Sequence, residues 1–366
     1  MSRLRVPLGN LALALVALAL VLLVLEAVLR LVGFAPAAEL APRQMVDAER
    51  GLDCYPSNPR GYFDIDLRLP ENRERYRRLA PRRYDAVARR HPWAVLSEYN
   101  HLRFRDLPPQ PRPAGVKRVV LFGDSFTEGE GVKEKDTLAR LLQAKLEAIE
   151  PGRYQVRNCG RRGLDFPDLM QPFETSLQYE PDLLVYALVL NDAVRPIEFQ
   201  ARQRYLDDWI LDRENAPDDE HGLRRGPRSR LLALVQDRFT AWRVGRATTR
   251  WYLEMWSDAN PGWRTTQGYL RQMDRELKAR RAQLLVVSWP LLVGLDSGYP
   301  FEPVHRTIAG FCGEAGIPYH DLLPAFRGRR PADLWVHPVD RHPNEVAQAI
   351  AAEALLPVVR ERLQGR

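Results

Sequence analysis

A long apolar segment near the amino terminus is the first pattern in the chain. No residue from Val6 to Leu25 is charged, and every residue from Leu11 to Leu25 is Ala, Val or Leu. About 20 helical residues rising about 1.5 Å each match the thickness of a bilayer's hydrocarbon core. Arg3 and Arg5 precede the segment, and basic residues tend to stay on the cytoplasmic side of a membrane. The pattern predicts a single-pass membrane anchor with a cytoplasmic amino end and the rest of the chain in the periplasm or outside the cell.

A cleaved secretory signal peptide is the alternative interpretation of this segment. Ala35-Pro36-Ala37 supplies small residues at alternate positions, as a cleavage site does. The apolar run is longer than the usual 7 to 15 residues or so, and the charged Glu26 and Arg30 separate it from that site. A retained anchor is therefore favoured.

Beyond about residue 116, short apolar and β-branched runs alternate with segments of helical periodicity. The predicted strands cover residues 118–122, 154–158, 183–190, 284–289 and 317–320. The predicted helices cover residues 137–149, 167–179, 304–315 and 344–363. Alternation of this kind predicts an α/β fold with a mainly parallel sheet covered on both faces, whose chemistry lies in loops at the carboxyl ends of the strands.

Composition divides the chain into three parts. Residues 1–33 contain the anchor, residues 34–115 are rich in Arg and Pro, and residues 116–366 carry the alternating pattern. The middle part is predicted to be a juxtamembrane stalk or a small subdomain. Its arginines are typical of a solvated surface, and lipid headgroups or an acidic polymer near the membrane are the functional alternative.

Residues 201–262, approximately, form an insertion in the third part. The segment is identified as an insertion because it is too long for an ordinary connection between secondary-structure elements. It contains a polar stretch and a predicted helix over residues 231–255. Three tryptophans follow closely, Trp251, Trp256 and Trp263, and we expect them to be local core rather than a binding surface. An insertion that leaves the end of a strand can also cover a site there and select its substrate.

Composition and charge exclude several classes of protein. Hydrophobic residues make up 45% of the 366 residues, which is too apolar for a disordered chain. The net charge is only +7, and no helix-turn-helix, zinc-finger or RNA-binding pattern accompanies the arginines, so no nucleic-acid partner is expected. The chain has too few cysteines for a disulfide framework, although two of the three can form a single bridge; they are Cys54, Cys159 and Cys312. Neither they nor the scattered histidines have metal-ligand spacing, so no metal is expected.

A possible nucleophile follows the first strand of the alternating part. Gly123-Asp124-Ser125 comes directly after the apolar run, and glycine at a strand end permits a tight turn. A serine at the start of the next helix stands where backbone N–H donors and the positive end of the helix dipole converge, which favours an attacking oxygen. Taken alone, this motif also fits a loop with a helix cap.

Three further motifs strengthen the catalytic interpretation. The second strand ends in residues 158–163, which contain Gly160 and Gly163, and the third ends at Asn191. A glycine amide and an asparagine side chain can stabilise the oxyanion of acyl transfer. Asp340 and His342 precede the last helix and supply a carboxylate and a base.

In this order, the motifs resemble those of the SGNH/GDSL hydrolases, a family of esterases, lipases and carbohydrate deacetylases with a three-layer α/β/α fold around a five-stranded sheet. The resemblance covers about residues 116–366, except the insertion. It implies that Ser125 is the nucleophile and also donates its amide to the oxyanion hole. Gly163 and Asn191 match the other two oxyanion donors, with Gly160 the neighbouring candidate. His342 matches the base and Asp340 its partner.

Two departures from the family pattern affect this assignment. Val189 stands where the third motif usually has glycine, which could narrow the oxyanion pocket. The last motif is Asp340-x-His342, one residue shorter than the usual Asp-x-x-His. Residues two apart in an extended segment point the same way, so the pair can still form. Asp333 and His337 are the alternatives for these roles.

The resulting hypothesis is a membrane-anchored serine esterase without cofactor, acting on an acyl ester, most simply an acetyl ester of an extracytoplasmic polysaccharide. A lipid esterase is an alternative substrate class. An O-acetyltransferase that uses the same serine is a second hypothesis. A non-catalytic subunit that binds or assembles a polymer is a third, and the two departures are its support.

Overall fold

A five-stranded parallel sheet lies at the centre of the larger unit of the protein. The computed structural model describes residues 8–34, 45–47, 52–54, 63–64, 97, 99–196, 229–337 and 340–364, with the backbone only at several of them. The strands are β4 (Lys117–Gly123), β5 (Tyr154–Gly160), β6 (Leu183–Leu188), β7 (Gln283–Ser288) and β8 (Tyr319–Asp321). Their order is β5-β4-β6-β7-β8, and every neighbouring pair is parallel. The predicted α/β fold class, with its mainly parallel five-stranded sheet, is confirmed.

Burial explains why residues 119–122 of β4 and all of β6 are apolar. All six residues of β6 are buried, and residues 119–122 of β4 are fully so. A parallel strand covered on both faces needs apolar side chains on both faces, so period-2 alternation disappears. The same strands end at one edge of the sheet, where the loops that follow them meet.

Helices connect these strands, and each of the four helix ranges predicted for this part overlaps one of them. The described helices of this part are α2 (Ser125–Glu128), α3 (Leu138–Ile149), α4 (Met170–Ser176), α6 (Pro261–Ala279), α7 (Glu302–Ala315), α8 (Leu323–Phe326) and α9 (Glu345–Gln364). The predicted helix over residues 167–179 is shorter as an α-helix, because its last turn, Leu177–Tyr179, is a 3-10 turn. Short antiparallel strands β9 (Trp335–His337) and β10 (Asp340–Pro343) form a hairpin before α9.

The insertion contains one helix that the sequence pattern predicts, and a second helix, which the pattern missed, begins where the insertion ends. Helix α5 (Arg230–Met255) matches the predicted range, whereas residues 201–228 lie outside the described residues. Helix α6 was missed, although Asn260 caps it by accepting a hydrogen bond from the Gly262 amide at 2.8 Å and Pro261 occupies its first turn. Trp251, Trp256 and Trp263 are all buried, so they are core as expected.

The smaller unit is formed by residues 1–41 and 203–248. Within it, α1 (Leu8–Leu31) contains the stretch Ala12–Leu31, which is long and apolar enough to cross a membrane and has no buried residue. A membrane anchor and a signal sequence both have these properties. Helix α5 begins in this unit, and its first amides bond to the Glu26 side chain of α1.

The Arg- and Pro-rich part is described only in fragments. Strands β1 (Met45–Asp47), β2 (Leu52–Cys54) and β3 (Phe63–Asp64) form a small antiparallel sheet. The arginine-rich run over residues 73–90 lies outside the described residues. Cys159 and Cys312 are both buried free thiols, so neither forms the disulfide that the sequence left open.

Candidate active site

The turn from β4 into α2 presents Ser125 at the carboxyl edge of the sheet. A side chain at Gly123 would approach the Ala187 carbonyl oxygen to 2.7 Å, so glycine is required by the neighbouring strand. Asp124 caps α2, its Oδ1 accepting a hydrogen bond from the Phe126 amide at 2.9 Å. Ser125 is the first residue of the helix, and no acceptor for its backbone N–H lies among the described residues. The hydroxyl and this amide therefore occupy the positive end of the helix.

The β9–β10 hairpin brings His342 to this serine from the other end of the sequence. His342 Nε2 lies 2.9 Å from Ser125 Oγ, within hydrogen-bond distance. The Phe126 ring packs against the imidazole edge-on, with the ring centroids 5.6 Å apart. Packing against Phe126 limits how far the imidazole can turn, so the nitrogen stays directed at the hydroxyl.

The carboxylate partner of His342 is not determined by the described residues. The Asp340 side chain lies outside them, so its predicted role stays a prediction, and the His337 side chain lies outside them as well. The alternative Asp333 forms an ion pair with Arg330 on an exposed turn. The Asp333 side chain is 56% exposed there, and its alternative role also stays a prediction.

Gly160, the last residue of β5, and Gly163 are the two candidate oxyanion donors, and their surroundings differ. The Gly160 amide donates to Asn158 Oδ1 at 3.0 Å, and a side chain there would approach the Glu128 backbone nitrogen to 2.1 Å. Gly163 has φ of +73°, and no acceptor for its N–H lies within the part of the chain described. Gly160 is therefore needed for close packing on α2, while the amide of Gly163 remains available to a ligand.

Asn191 lies beside the nucleophile turn. Its Nδ2 approaches Asp124 Oδ2 to 3.5 Å, a long hydrogen bond that holds the amide next to the residue preceding Ser125. Val189, which replaces the usual glycine, is fully buried, and its amide donates to Asp192 Oδ2 at 3.0 Å. Its predicted effect on the oxyanion pocket stays a prediction.

Glu130 is a site residue that sequence reasoning missed. Its Oε2 lies 3.4 Å from His342 Nε2, the same nitrogen that faces Ser125. Arg162 Nη1 lies 3.6 Å from Glu130 Oε1. A carboxylate here stabilises positive charge on the imidazole, which is the charge that forms when the serine loses its proton. The available signal was Gly129-Glu130-Gly131, an acidic residue between two glycines directly after the nucleophile helix.

Glu128 ties the second-motif loop to the nucleophile helix. This carboxylate is fully buried and accepts hydrogen bonds from the Tyr99 hydroxyl at 2.6 Å, from Arg162 Nε at 2.7 Å and from the Arg162 amide at 2.9 Å. Buried carboxylates need such compensation, because an unpaired one is very unfavourable. Since Arg162 precedes Gly163, the cluster fixes the loop that carries the candidate oxyanion donor.

The segment over residues 100–105, which precedes β4, supports the same turn. Asn100 Oδ1 accepts hydrogen bonds from the amides of Leu102 and Phe104 and so folds the segment on itself. Arg105 is buried and donates to the Gly129 carbonyl at 2.7 Å and to the Val132 carbonyl at 2.8 Å. The segment therefore holds both sides of the loop that carries Glu130.

Two buried aspartates surround the turn without contacting the nucleophile oxygen directly. Burial raises the pKa of Asp124 to about 6, opposed by the Phe126 amide and the nearby His342. Burial also raises the pKa of Asp192 well above its ordinary value, and the charge of Asp124 adds to this effect. Both side chains accept hydrogen bonds from backbone amides of their own turns, Asp124 from Phe126 and Asp192 from Val189.

No group of three or more metal-ligating side chains occurs within the described ranges. A second histidine–carboxylate pair does occur, because His305 Nδ1 lies 2.8 Å from Asp321 Oδ1 and Nε2 lies 3.1 Å from the Tyr299 hydroxyl. His305 is buried and faces a tyrosine rather than a serine. This pair ties α7 to β8 and is a structural contact.

The sequence matches the GDSL-like lipase/acylhydrolase family over residues 121–350. This chain belongs to that family. The match spans the three motifs and the His342 hairpin, so the resemblance seen in the motifs is confirmed and the protein is an ester-bond hydrolase of the SGNH/GDSL type. No curated protein sequence matches the chain.

Several solved structures are similar to this GDSL-like hydrolase at low sequence identity. TesA is 16% identical to this chain, and the match covers 67% of this chain and 99% of the TesA chain, with a TM-score of 0.41. A catalytic variant of Axe2, an acetylxylan esterase from Geobacillus stearothermophilus, is 15% identical over 68% of this chain and 95% of its own, with a TM-score of 0.42. A lipase/acylhydrolase from Enterococcus faecalis is 15% identical over 68% and 97%, with a TM-score of 0.41.

Proposed function

We propose that this hydrolase is a membrane-anchored serine esterase whose nucleophile is Ser125 and whose base is His342. The observation that carries the proposal is the 2.9 Å separation of His342 Nε2 and Ser125 Oγ. The hydroxyl oxygen attacks the ester carbonyl carbon as its proton passes to Nε2. The imidazolium then protonates the leaving alcohol. In the second half of the reaction, water attacks the acyl carbonyl while His342 accepts its proton, and His342 returns that proton to the departing Ser125 oxygen.

The proposed oxyanion hole consists of the amides of Ser125 and Gly163 and the side-chain amide of Asn191. Two observations support it: neither backbone N–H has an acceptor among the described residues, and the Asn191 amide lies beside Asp124. Losing one such donor reduces the rate by roughly 10²- to 10³-fold. Asp340 is the proposed partner that orients His342, and Glu130 adds negative charge at the Nε2 side.

The proposed substrate is an acetyl ester on an extracytoplasmic polysaccharide. The anchor supports this location, since Arg3 and Arg5 precede the apolar span of α1 and favour a cytoplasmic amino end. One solved structure similar in fold is described as an acetylxylan esterase. Residues 116–366, with the insertion at 201–262, form the proposed hydrolase domain, and residues 34–115 the stalk.

Covalent labelling tests the nucleophile. The full chain in detergent is treated with a fluorophosphonate and mapped by peptide mass spectrometry, alongside Ser125→Ala, His342→Ala and the exposed control His101→Ala. We expect the adduct on Ser125 in the parent and in His101→Ala only. A native chain that carries no adduct would favour the non-catalytic polymer-binding hypothesis instead.

Product analysis separates hydrolysis from acyl transfer. Aryl acetate is supplied with and without a sugar acceptor, and the acetyl group is followed into acetate or into the sugar ester. Hydrolysis predicts acetate in both reactions. An O-acetyltransferase would instead form the sugar ester and release little acetate without acceptor.

A further inference from the structure

Helix α5 carries an exposed apolar stripe that nothing in the active site uses. Leu232, Val235, Phe239 and Trp242 recur at intervals of three, four and three residues, so they share one face of the helix. Each is more than half exposed, at 51%, 57%, 59% and 56% respectively. Ala233, on a different face, is 1% exposed. The helix therefore packs on the protein through another side and leaves these four apolar side chains largely uncovered.

Arginines accompany the stripe. Between residues 230 and 250 there are five arginines and a single acidic residue, Asp237. Arg238 and Arg243 lie on the two sides of the stripe, and the Arg246 guanidinium lies over the Trp242 ring at 5.2 Å. Asp237 points away from the stripe. Apolar side chains flanked by arginines, with a tryptophan among them, are typical of a helix that lies in the interface of an anionic membrane.

The anchor helix fixes where α5 starts. Glu26 of α1 accepts hydrogen bonds from the amides of Arg230 and Leu231 at 2.9 and 2.8 Å and from the Ser229 hydroxyl at 2.9 Å. The two amides belong to the first turn of α5 and have no acceptor within the helix, so Glu26 acts as a helix cap supplied by another helix. Glu26 lies five residues, or about 7.5 Å, before the end of α1 at Leu31. The amino end of α5 is thereby held at the end of the apolar span.

We propose that the first part of α5 lies on the surface of the same bilayer that α1 crosses, with the Leu232–Trp242 stripe in the lipid and its arginines at anionic headgroups. This rests on the proposed anchoring of the protein by α1. The bilayer is favoured over a protein partner because the Glu26 cap places the stripe beside the lipid-facing helix. The arginines match the charge of an anionic membrane surface.

Site-directed spin labelling of the full chain tests the proposal. Cys54 is replaced by Ser, since Cys159 and Cys312 are buried, and a nitroxide is placed by Phe239→Cys or, as control, by Gly245→Cys. Gly245 lies about 120° around the helix from Phe239, and a side chain there meets no atom within 4 Å. Both variants should hydrolyse an aryl acetate at the parent rate, because neither residue belongs to the active site. The proteins are reconstituted in nanodiscs of phosphatidylcholine with or without phosphatidylglycerol.

We expect the ratio of oxygen to nickel-chelate accessibility to be severalfold higher at residue 239 than at residue 245, and to rise with phosphatidylglycerol. A label at 239 that is as open to the nickel chelate as the control would overturn the proposal. So would a label closed to both reagents, which indicates a second copy or another protein on the stripe. Alkaline carbonate extraction is measured first, because release of the chain from membranes would refute the anchor itself rather than the position of α5.

Discussion

At the scale of single residues, the site depends on which groups surround His342 Nε2. Sequence motifs predict Ser125 and His342, because each motif occupies the end of a strand or the start of a helix. Glu130 is not predictable in this way, since its approach to His342 depends on how the hairpin before α9 folds back onto the loop after α2. Charge near a base changes its proton affinity, so this contact has a measurable consequence.

Replacing Glu130 by Gln should lower kcat/KM roughly 5- to 10-fold, because the imidazolium loses a nearby negative charge in a partly exposed setting. The acid limb of the pH–rate profile should also move to lower pH. The matched control is Glu134→Gln, an exposed glutamate paired with Arg140. An unchanged profile in the Glu130 variant would show that the carboxylate has no electrostatic role.

Asp124 should make the protein less stable as the pH rises. Its folded pKa of about 6 lies above the ordinary 3.8, so the folded state holds the proton more tightly. The stabilisation is complete below about pH 3.8 and is lost as the pH passes 6, up to about 3 kcal/mol in total. The variant Asp124→Asn lacks this loss.

The measurement is the melting temperature of both proteins at pH 4 and pH 7. The melting temperature of Asp124→Asn minus that of the parent should be larger at pH 7 than at pH 4. The exposed Asp168→Asn serves as control and should show the same difference at both. A melting-temperature difference between Asp124→Asn and the parent that is the same at pH 4 and pH 7 would contradict the raised pKa of Asp124.

At the scale of elements, the parallel sheet and most helices follow from apolar periodicity, because buried strands leave runs such as residues 118–122. Helix α6 was missed, although the Asn260-Pro261 cap signals its start and its buried residues recur at helical spacing. The hairpin of β9 and β10 was also missed, since strands of three or four residues leave little pattern. The segment around Arg105 has no helical or strand periodicity. Only the folded structure shows that it holds the loop that carries Glu130.

Arg105→Lys tests that supporting role. Lysine keeps the positive charge but lacks the two guanidinium nitrogens that donate separately to the Gly129 and Val132 carbonyls. The loop carrying Glu130 then shifts, and kcat should fall roughly 10- to 100-fold while KM changes little. Arg103→Lys, two residues away and exposed, should leave both constants unchanged. A rise in KM alone would assign Arg105 to substrate binding instead.

At the scale of the whole molecule, whether α1 is retained or cleaved decides where the chemistry takes place. A retained α1 keeps the hydrolase domain at a membrane, whereas a cleaved signal peptide would release it. The hydropathy of residues 12–31 fits both, whereas the length of the apolar run favours the retained anchor.

Analysis of the mature amino terminus distinguishes the two. We expect the purified membrane fraction to contain the chain with α1 intact, in the pellet after alkaline carbonate washing. A mature protein that begins just after Ala37 and is found in the soluble fraction would contradict the anchor and support the signal peptide.

The most direct test of the central claim is the acyl-enzyme itself. The native chain is mixed rapidly with an aryl acetate, quenched in acid and digested, and the peptides are searched for an added acetyl group. The account predicts acetylation of Ser125 during turnover, and neither acetylation nor hydrolysis in Ser125→Ala. Undiminished hydrolysis in that variant, with acetyl absent from Ser125 in the parent, would contradict it.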